Sequence, residues 1–176
     1  IIEGIFVPNS KRKKMKVLKF GGKSLANGKG LNTVLNIIET KILAGEKITV
    51  VASARGVATD ELETILSKAS KGLKYKEDLE TFKAYQLEPL KDIDFSKEFS
   101  VLDKLFEGVS LLGDYSQKTK DEILAQGELL SVKLVSGLLN SKNIKALAVD
   151  SRELIKTDGN FGNAKPIANL SKDNVK

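Results

Sequence analysis

A chain of 176 residues, 41% hydrophobic and 30% charged, has the size and composition of one globular domain or one large lobe. It contains neither histidine nor cysteine, which excludes disulfides, Cys/His zinc sites, Ser-His triads and Cys-His pairs within the chain. Catalysis by such a chain must use Lys, Asp, Glu, Ser, Thr and backbone amides. These groups suit phosphoryl transfer, in which positioning and charge stabilisation provide most of the catalysis.

The positive charge is carried almost entirely by lysine. The formal net charge is +6, and only three of the 29 basic residues are arginines. Because base-specific contacts favour arginine and base stacking needs aromatic side chains, we interpret the lysine excess as a solvated surface and expect no nucleic-acid partner. The KRKK run at residues 11–14 precedes Met15, a candidate native start, so residues 1–14 are predicted to be an extension.

The apolar segments of the sequence are short. None is long enough to span a membrane, and the amino-terminal stretch lacks the residue order of a secretory signal. Since cysteine is absent as well, we expect a cytoplasmic protein with no membrane partner.

The first half of the chain alternates between strand and helix patterns. MKVLKF at residues 15–20 alternates and is rich in strand-forming residues, which predicts a strand. Apolar residues recur at helical spacing over residues 24–43, which predicts a helix. ITVVASA at residues 48–54 predicts a buried strand, and a helix capped by Thr59 or Asp60 follows it.

The second half is mostly helical. Residues 71–113 predict a helical insertion interrupted near Pro89, and residues 117–139 predict a long helix or a helix pair. IKALAV at residues 144–149 predicts a third buried strand. Turn residues without periodicity follow from Thr157.

Strands separated by helices predict parallel β-α units and therefore an α/β layered sheet. Three strands are few for a closed fold of this type. The sequence thus predicts either a small open sandwich or the first part of a larger domain.

The first strand leads into a glycine turn, KFGGKS. A Walker A loop would need a glycine five residues before Gly22, inside the strand, and a dinucleotide-binding fingerprint would need a glycine at Lys23. What remains is a strand, the Gly21-Gly22 pair and a helix opened by Ser24, an arrangement whose amides can bind phosphate. Lys19 could direct its ammonium at the same anion. The alternative is an ordinary tight turn beside a solvated lysine.

Two further stretches contain candidate binding residues. Ser53 ends the second strand and Thr59 begins the next helix, where hydroxyls and amides could hold a carboxylate; the alternative is plain helix capping. Glu128 lies on a mostly apolar helix next to Gly127, so its carboxylate is either buried with a partner or faces a cleft. The alternative is a helix that begins near Gly127, with Glu128 in its first turn.

Four stretches together resemble one protein family. In order and spacing, MKVLKFGGKS, VVASARGVATDEL, LAQGELLSVKL and TDGNFGNAKP are similar to the amino-terminal half of aspartate kinases of the amino acid kinase superfamily. The resemblance implies a three-layer α-β-α sandwich around a mostly parallel sheet, of which this chain is the amino-terminal part. Residues 15–176 would form the aspartate-side lobe, with the helical insertion at about residues 71–113.

The resemblance also implies a reaction. In this family, ATP with Mg²⁺ phosphorylates the β-carboxylate of L-aspartate to give 4-phospho-L-aspartate, which leads to lysine, threonine and methionine, and we expect a homo-oligomer in the complete enzyme. Lys19 would neutralise phosphoryl charge, Glu128 would receive the α-ammonium, and no residue is assigned to a metal. Ser53 and Thr59 would help to hold the aspartate carboxylates. The implied phosphate-binding residues are Lys19, Gly21, Gly22 and Ser24.

Three positions depart from the family pattern, and two alternatives remain. Lys23 replaces a threonine, Asp60 an asparagine and Gln126 an arginine. Because the family's adenine-binding half and a catalytic aspartate follow the end of this chain, we expect residues 1–176 alone to be inactive. The alternatives are another amino acid kinase, such as a carbamate or acetylglutamate kinase, and a non-catalytic ligand-binding or assembly module.

Overall fold

The structure, a computed structural model, describes residues 15–175, so the predicted extension at residues 1–14 lies outside the described residues. Two strands and seven α-helices form within this range. In chain order they are β1 (Lys16–Phe20), α1 (Lys29–Leu43), β2 (Ile48–Ala52), α2 (Ala58–Ser70), α3 (Lys76–Leu87), α4 (Ser96–Leu112), α5 (Gln117–Ser141), α6 (Ser151–Leu154) and α7 (Ala168–Lys172), with a 3₁₀ turn at Gly22–Leu25 between β1 and α1.

The sheet consists of β1 and β2, which pair in parallel with α1 as the crossover. Lys16 lies opposite Ile48, and Phe20 lies opposite Ala52. Side chains alternate across the sheet, so Ile48 and Val50 are buried while Val51 is partly exposed. Both strands therefore end at the same edge, where the glycine turn and the loop at residues 53–56 begin.

The first two helices are present and each buries an apolar face, but both begin at residues other than those predicted. The first helix does not run on from Ser24, because Gly28 adopts a positive φ of 76° and α1 begins after it. Thr59 and Asp60 do not cap α2, because that helix already begins at Ala58 and both residues lie inside its first turn. The buried residues are Leu31, Val34, Leu35 and Ile38 on α1 and Leu62, Ile65, Leu66 and Ala69 on α2.

The helices predicted between residues 71 and 139 are present, and the short helices α6 and α7, which the sequence did not predict, follow them. Helices α3 and α4 form within residues 71–113 and are separated near Pro89. Helix α5 is one helix of 25 residues rather than a pair, and the Ser116 side chain caps it by accepting a hydrogen bond from the Thr119 amide at 3.1 Å. Over residues 15–175 no helix combines the length and the apolar composition that crossing a membrane requires.

The predicted third strand at residues 144–149 is wrong, since this segment joins no sheet within the described range. Side chains of α5 bind its backbone instead. Asn140 Oδ1 accepts from the Ala146 amide at 3.0 Å, and the Ala146 carbonyl accepts from Asn140 Nδ2 and from Ser136 Oγ, each at 2.9 Å. Leu147 is 59% exposed, so the segment is not buried as a central strand would be.

We expect Asn140→Ala to lower the free energy of unfolding by about 1–2 kcal/mol, because it removes two hydrogen bonds to the Ala146 backbone. Ser141→Ala is the matched control, since the Ser141 hydroxyl donates to the Leu138 carbonyl within its own helix. Urea unfolding of both variants checks the prediction. Equal stabilities would show that Asn140 does not hold this segment.

Candidate active site

The Gly21-Gly22 turn meets the 53–56 loop backbone to backbone. The Gly56 amide donates to the Gly22 carbonyl at 2.9 Å, and the Ser53 amide donates to the Phe20 carbonyl at 3.1 Å. A Cβ atom at Gly22 would lie 2.5 Å from the Ala54 carbonyl oxygen and 2.9 Å from that of Gly56. Only glycine therefore permits this approach of the two segments.

Polar residues precede and follow Gly21 and Gly22 in the turn. A Cβ atom at Gly21 would meet no atom within 4 Å, so Gly21 has an open face. Lys19, Lys23 and Ser24, the polar residues near this glycine pair in the sequence, are all exposed. Lys19 lies opposite Val51 in the sheet, and register partners on parallel strands project to the same face. The turn thus offers two cations and a hydroxyl beside open space, a set of groups suited to an anion.

The 53–56 loop also contacts α5 in the middle of that helix. The Ala54 amide donates to Glu128 Oε1 at 3.3 Å. A Cβ atom at Gly127 would lie 3.0 Å from the Ala54 Cβ, so glycine lets α5 approach the loop closely. Because Gly127 is inside α5, the alternative in which the helix begins there is excluded. Glu128 is instead a partly buried carboxylate at mid-helix, joined to the loop.

Glu128 also lines a cavity of about 170 Å³ at the carboxyl end of β2. A cavity needs only about 10–15 Å³ of such accessible space to hold one water molecule, so a small molecule can enter this one. Apolar side chains make up most of the wall, and the polar side chains come from Glu128, Asp150, Ser151 and Arg152. The cavity lining is Val51, Ala52, Ala125, Glu128, Leu129, Val132, Val149, Asp150, Ser151 and Arg152.

Arg152 is held by two carboxylates at the wall of the cavity. Its Nη2 donates to Asp150 Oδ2 at 2.7 Å and its Nη1 donates to Glu122 Oε1 at 2.9 Å. The hydrogen bonds that Arg152 donates to Asp150 lower the pKa of the Asp150 carboxyl, and the same hydrogen bonds raise the pKa of the guanidinium. Both groups are therefore charged at neutral pH.

The structure brings some of the predicted site residues together and leaves others apart. Gly22 and Glu128 are joined through Ala54, which contacts both. Ser53 directly follows the cavity-lining Ala52, but Ser53 and Thr59 do not line the cavity, and neither do Lys19, Gly21, Gly22 and Ser24.

The three departures from the family pattern have separate surroundings. Lys23 and Asp60 are exposed. Gln126 is 2% exposed, and its amide donates to the Glu122 carbonyl at 3.3 Å within α5.

Asp150, Ser151 and Arg152 are cavity residues that the sequence interpretation missed. They directly follow residues 144–149, the segment taken for a strand. The rule that ligands bind beyond the carboxyl ends of strands indicates these positions, because they directly follow a segment with a strand-like pattern.

Sequence comparison identifies the family. The profile of the amino acid kinase family matches residues 14–176, so the chain belongs to that family, as predicted. A bifunctional aspartokinase/homoserine dehydrogenase of Buchnera aphidicola is 28% identical over 92% of this chain. Aspartokinase 1 of Arabidopsis thaliana, a chloroplastic protein, is 27% identical over 81% of it. The chain spans only 21% and 26% of these relatives.

Structural comparison confirms the predicted α/β fold. The structure of Escherichia coli aspartokinase III in complex with aspartate and ADP matches 91% of this chain with a TM-score of 0.75 and 25% identity. The match covers 36% of that protein chain. The structural and sequence relatives therefore agree on aspartokinases, and each match spans well under half of the longer protein.

We expect Gly22→Ala to lower the free energy of unfolding by about 1–3 kcal/mol, because its Cβ would press on two backbone carbonyls that cannot move independently. Gly21→Ala is the matched control: its φ of −80° suits any residue and its Cβ would meet nothing. This variant should stay within about 0.5 kcal/mol of the parent. Urea unfolding measures both, and equal losses would refute the close-contact explanation.

Proposed function

We propose that this chain forms the aspartate-side lobe of an aspartate kinase, which transfers the γ-phosphoryl group of ATP to the β-carboxylate of L-aspartate. The observation that supports this most is the double contact of Ala54. Its carbonyl lies against Gly22 of the cationic turn, and its amide bonds to Glu128 at the cavity. One loop residue thereby fixes an anion-binding turn relative to a carboxylate that can receive an ammonium group.

The glycine turn is the proposed phosphate side. Lys19 and Lys23 supply positive charge, and Ser24 and the turn amides supply donors, beside the open face of Gly21. Phosphoryl transfer needs charge stabilisation and alignment rather than covalent help from the protein, so such a set of groups is sufficient on this side. Lys19 is the proposed catalytic residue because its ammonium would stabilise charge on the transferred group.

The cavity is the proposed aspartate side. Glu128 would bind the α-ammonium through a charge-assisted hydrogen bond. Arg152 is the cation in the cavity lining and is suited to a carboxylate, although Asp150 and Glu122 hold it in this structure. Ser53 and Thr59 remain proposed carboxylate ligands from the neighbouring loop and helix start.

Mg²⁺ would enter with the nucleotide. Residues 15–175 contain no group of three or more acidic side chains arranged to hold a metal ion. Mg²⁺ commonly binds through substrate phosphates and one or two carboxylates, so the open, cationic turn is compatible with a metal brought by ATP. When bound, Mg²⁺ would neutralise phosphate charge.

We expect Lys19→Met to reduce turnover about 10²–10³-fold and to change the KM for aspartate little, because it removes one charge-stabilising donor. Lys16→Met is the matched control, since Lys16 lies at the opposite end of β1 and pairs with Glu46 at 2.9 Å. Aspartate-dependent ADP formation in the full-length protein is the measurement. A rate within threefold of the parent would remove Lys19 from the phosphoryl site.

We expect Glu128→Gln to raise the KM for aspartate about tenfold or more and to leave the KM for ATP nearly unchanged, because a hydrogen bond to a charged group contributes about 1.5–3 kcal/mol. Glu98→Gln is the control, because Glu98 is a buried carboxylate on α4 that pairs with Lys133 of α5, the helix that carries Glu128. Steady-state kinetics with each substrate varied in turn distinguish the two. An unchanged KM for aspartate with lower thermal stability would favour a purely structural Glu128.

A further inference from the structure

Arg55 is a fully buried cation in the loop that joins the two sides of the proposed site. Its relative exposure is 0%. It lies between Ala54, whose amide bonds to Glu128, and Gly56, whose amide bonds to Gly22. The backbone on either side of Arg55 thus contacts the site, while its side chain extends to a different element.

That element is the carboxyl end of α3. The Arg55 Nη2 donates to the Tyr85 carbonyl and, at 3.2 Å, to Gln86 Oε1. The guanidinium carbon lies 4.1 Å from the centre of the Tyr85 ring. The last carbonyls of a helix lack partners within the helix and attract cations, so Arg55 caps the carboxyl end of α3. Tyr85 also lies against Gly56, where a Cβ atom would be 2.7 Å from the Tyr85 hydroxyl oxygen.

Stability alone does not account for an arginine here. Within residues 15–175, Arg55 Nε and Nη1 and the neighbouring Glu61 Oε2 are buried without a hydrogen-bond partner. Burial lowers the pKa of Arg55 and raises that of Glu61, which means that both charges lose solvation. An apolar residue of similar volume is often no less stabilising than a buried ion. What such a residue cannot supply is a directed bond to the Tyr85 carbonyl.

A second contact ties the same helix end to the glycine turn. Glu88, which follows α3, accepts a hydrogen bond from Asn27 Nδ2. Asn27 lies between the 3₁₀ turn and α1. The end of α3 therefore contacts the 53–56 loop through Arg55, and it contacts the segment that follows the glycine turn through Asn27.

We propose that Arg55 is a positioning residue, which fastens the 53–56 loop to the carboxyl end of α3 and so fixes the separation of the Gly22 turn and Glu128. The effect that we expect of Arg55 on catalysis rests on the proposed function. Loss of the Arg55 contacts with α3 would misplace both substrates together. Displacement of about 1 Å can reduce a rate about 10²-fold, so the effect would appear in turnover as well as in binding.

The first test needs no activity. Hydrogen–deuterium exchange followed by mass spectrometry is measured on the full-length protein and on Arg55→Met and Arg55→Lys, the latter keeping charge but losing the planar fork. We expect exchange about tenfold or more faster in peptides covering residues 53–57, with the peptides of α5 unchanged. Lys83→Met is the control. Lys83 is a partly buried cation on α3, and it pairs with Asp103 of α4.

Unchanged exchange at residues 53–57 in both variants would overturn the proposal. So would faster exchange spread equally over α5, because Arg55 would then act only on global stability. The second test is kinetic: both Arg55 variants should lower kcat and raise the KM values for ATP and aspartate, about 10–100-fold in kcat/KM. If the parent protein shows no aspartate-dependent ADP formation but the exchange result holds, the loop tie stands and the proposed function fails.

Discussion

The site depends on one backbone contact, the approach of Gly22 to the Ala54 and Gly56 carbonyls. It lies where the two parallel strands end, so the sheet delivers both segments to the same edge. Because both partners are backbone, neither can rotate away, and the Gly56 amide closes the contact with a hydrogen bond to Gly22. The direct contact between the cationic turn and the loop is thus made by main-chain atoms.

Helix α5 makes a second close contact with the 53–56 loop. Gly127 allows the helix to approach Ala54, and Glu128 binds the amide of the same residue. A carboxylate on a mostly apolar helix face is costly unless it is partnered, and here a loop amide and the edge of a cavity accommodate it. Arg152 also lines the cavity, with its charge balanced by Asp150 and Glu122. The candidate site therefore has two distinct parts, a cationic turn and a cavity lined by both acidic and basic side chains.

The helices outside the β-α units also contribute to the site. Helix α4 packs on α2 and α5, and the end of α3 meets the loop through Arg55. Since the loop has little apolar surface of its own, neighbouring elements must hold it in place. Arg55 and Asn27 provide this support from one helix end, which couples residues far apart in sequence to the two sides of the site.

The sequence by itself determined the local elements and the family. Helical spacing predicts the helices as far as α5, the alternating pattern of residues 15–20 predicts β1, and the apolar run at residues 48–54 predicts β2. The motifs around Gly22 and Glu128 indicate the kinase family. The tertiary structure decided what periodicity cannot encode. Residues 144–149 have a strand-like pattern, but a strand exists only if a neighbouring strand pairs with it, and here Asn140 and Ser136 bind that backbone. Likewise the side chains of Arg152 and Arg55 acquire their places from contacts with Glu122 and Tyr85, each 30 positions away in the sequence, which no local pattern specifies.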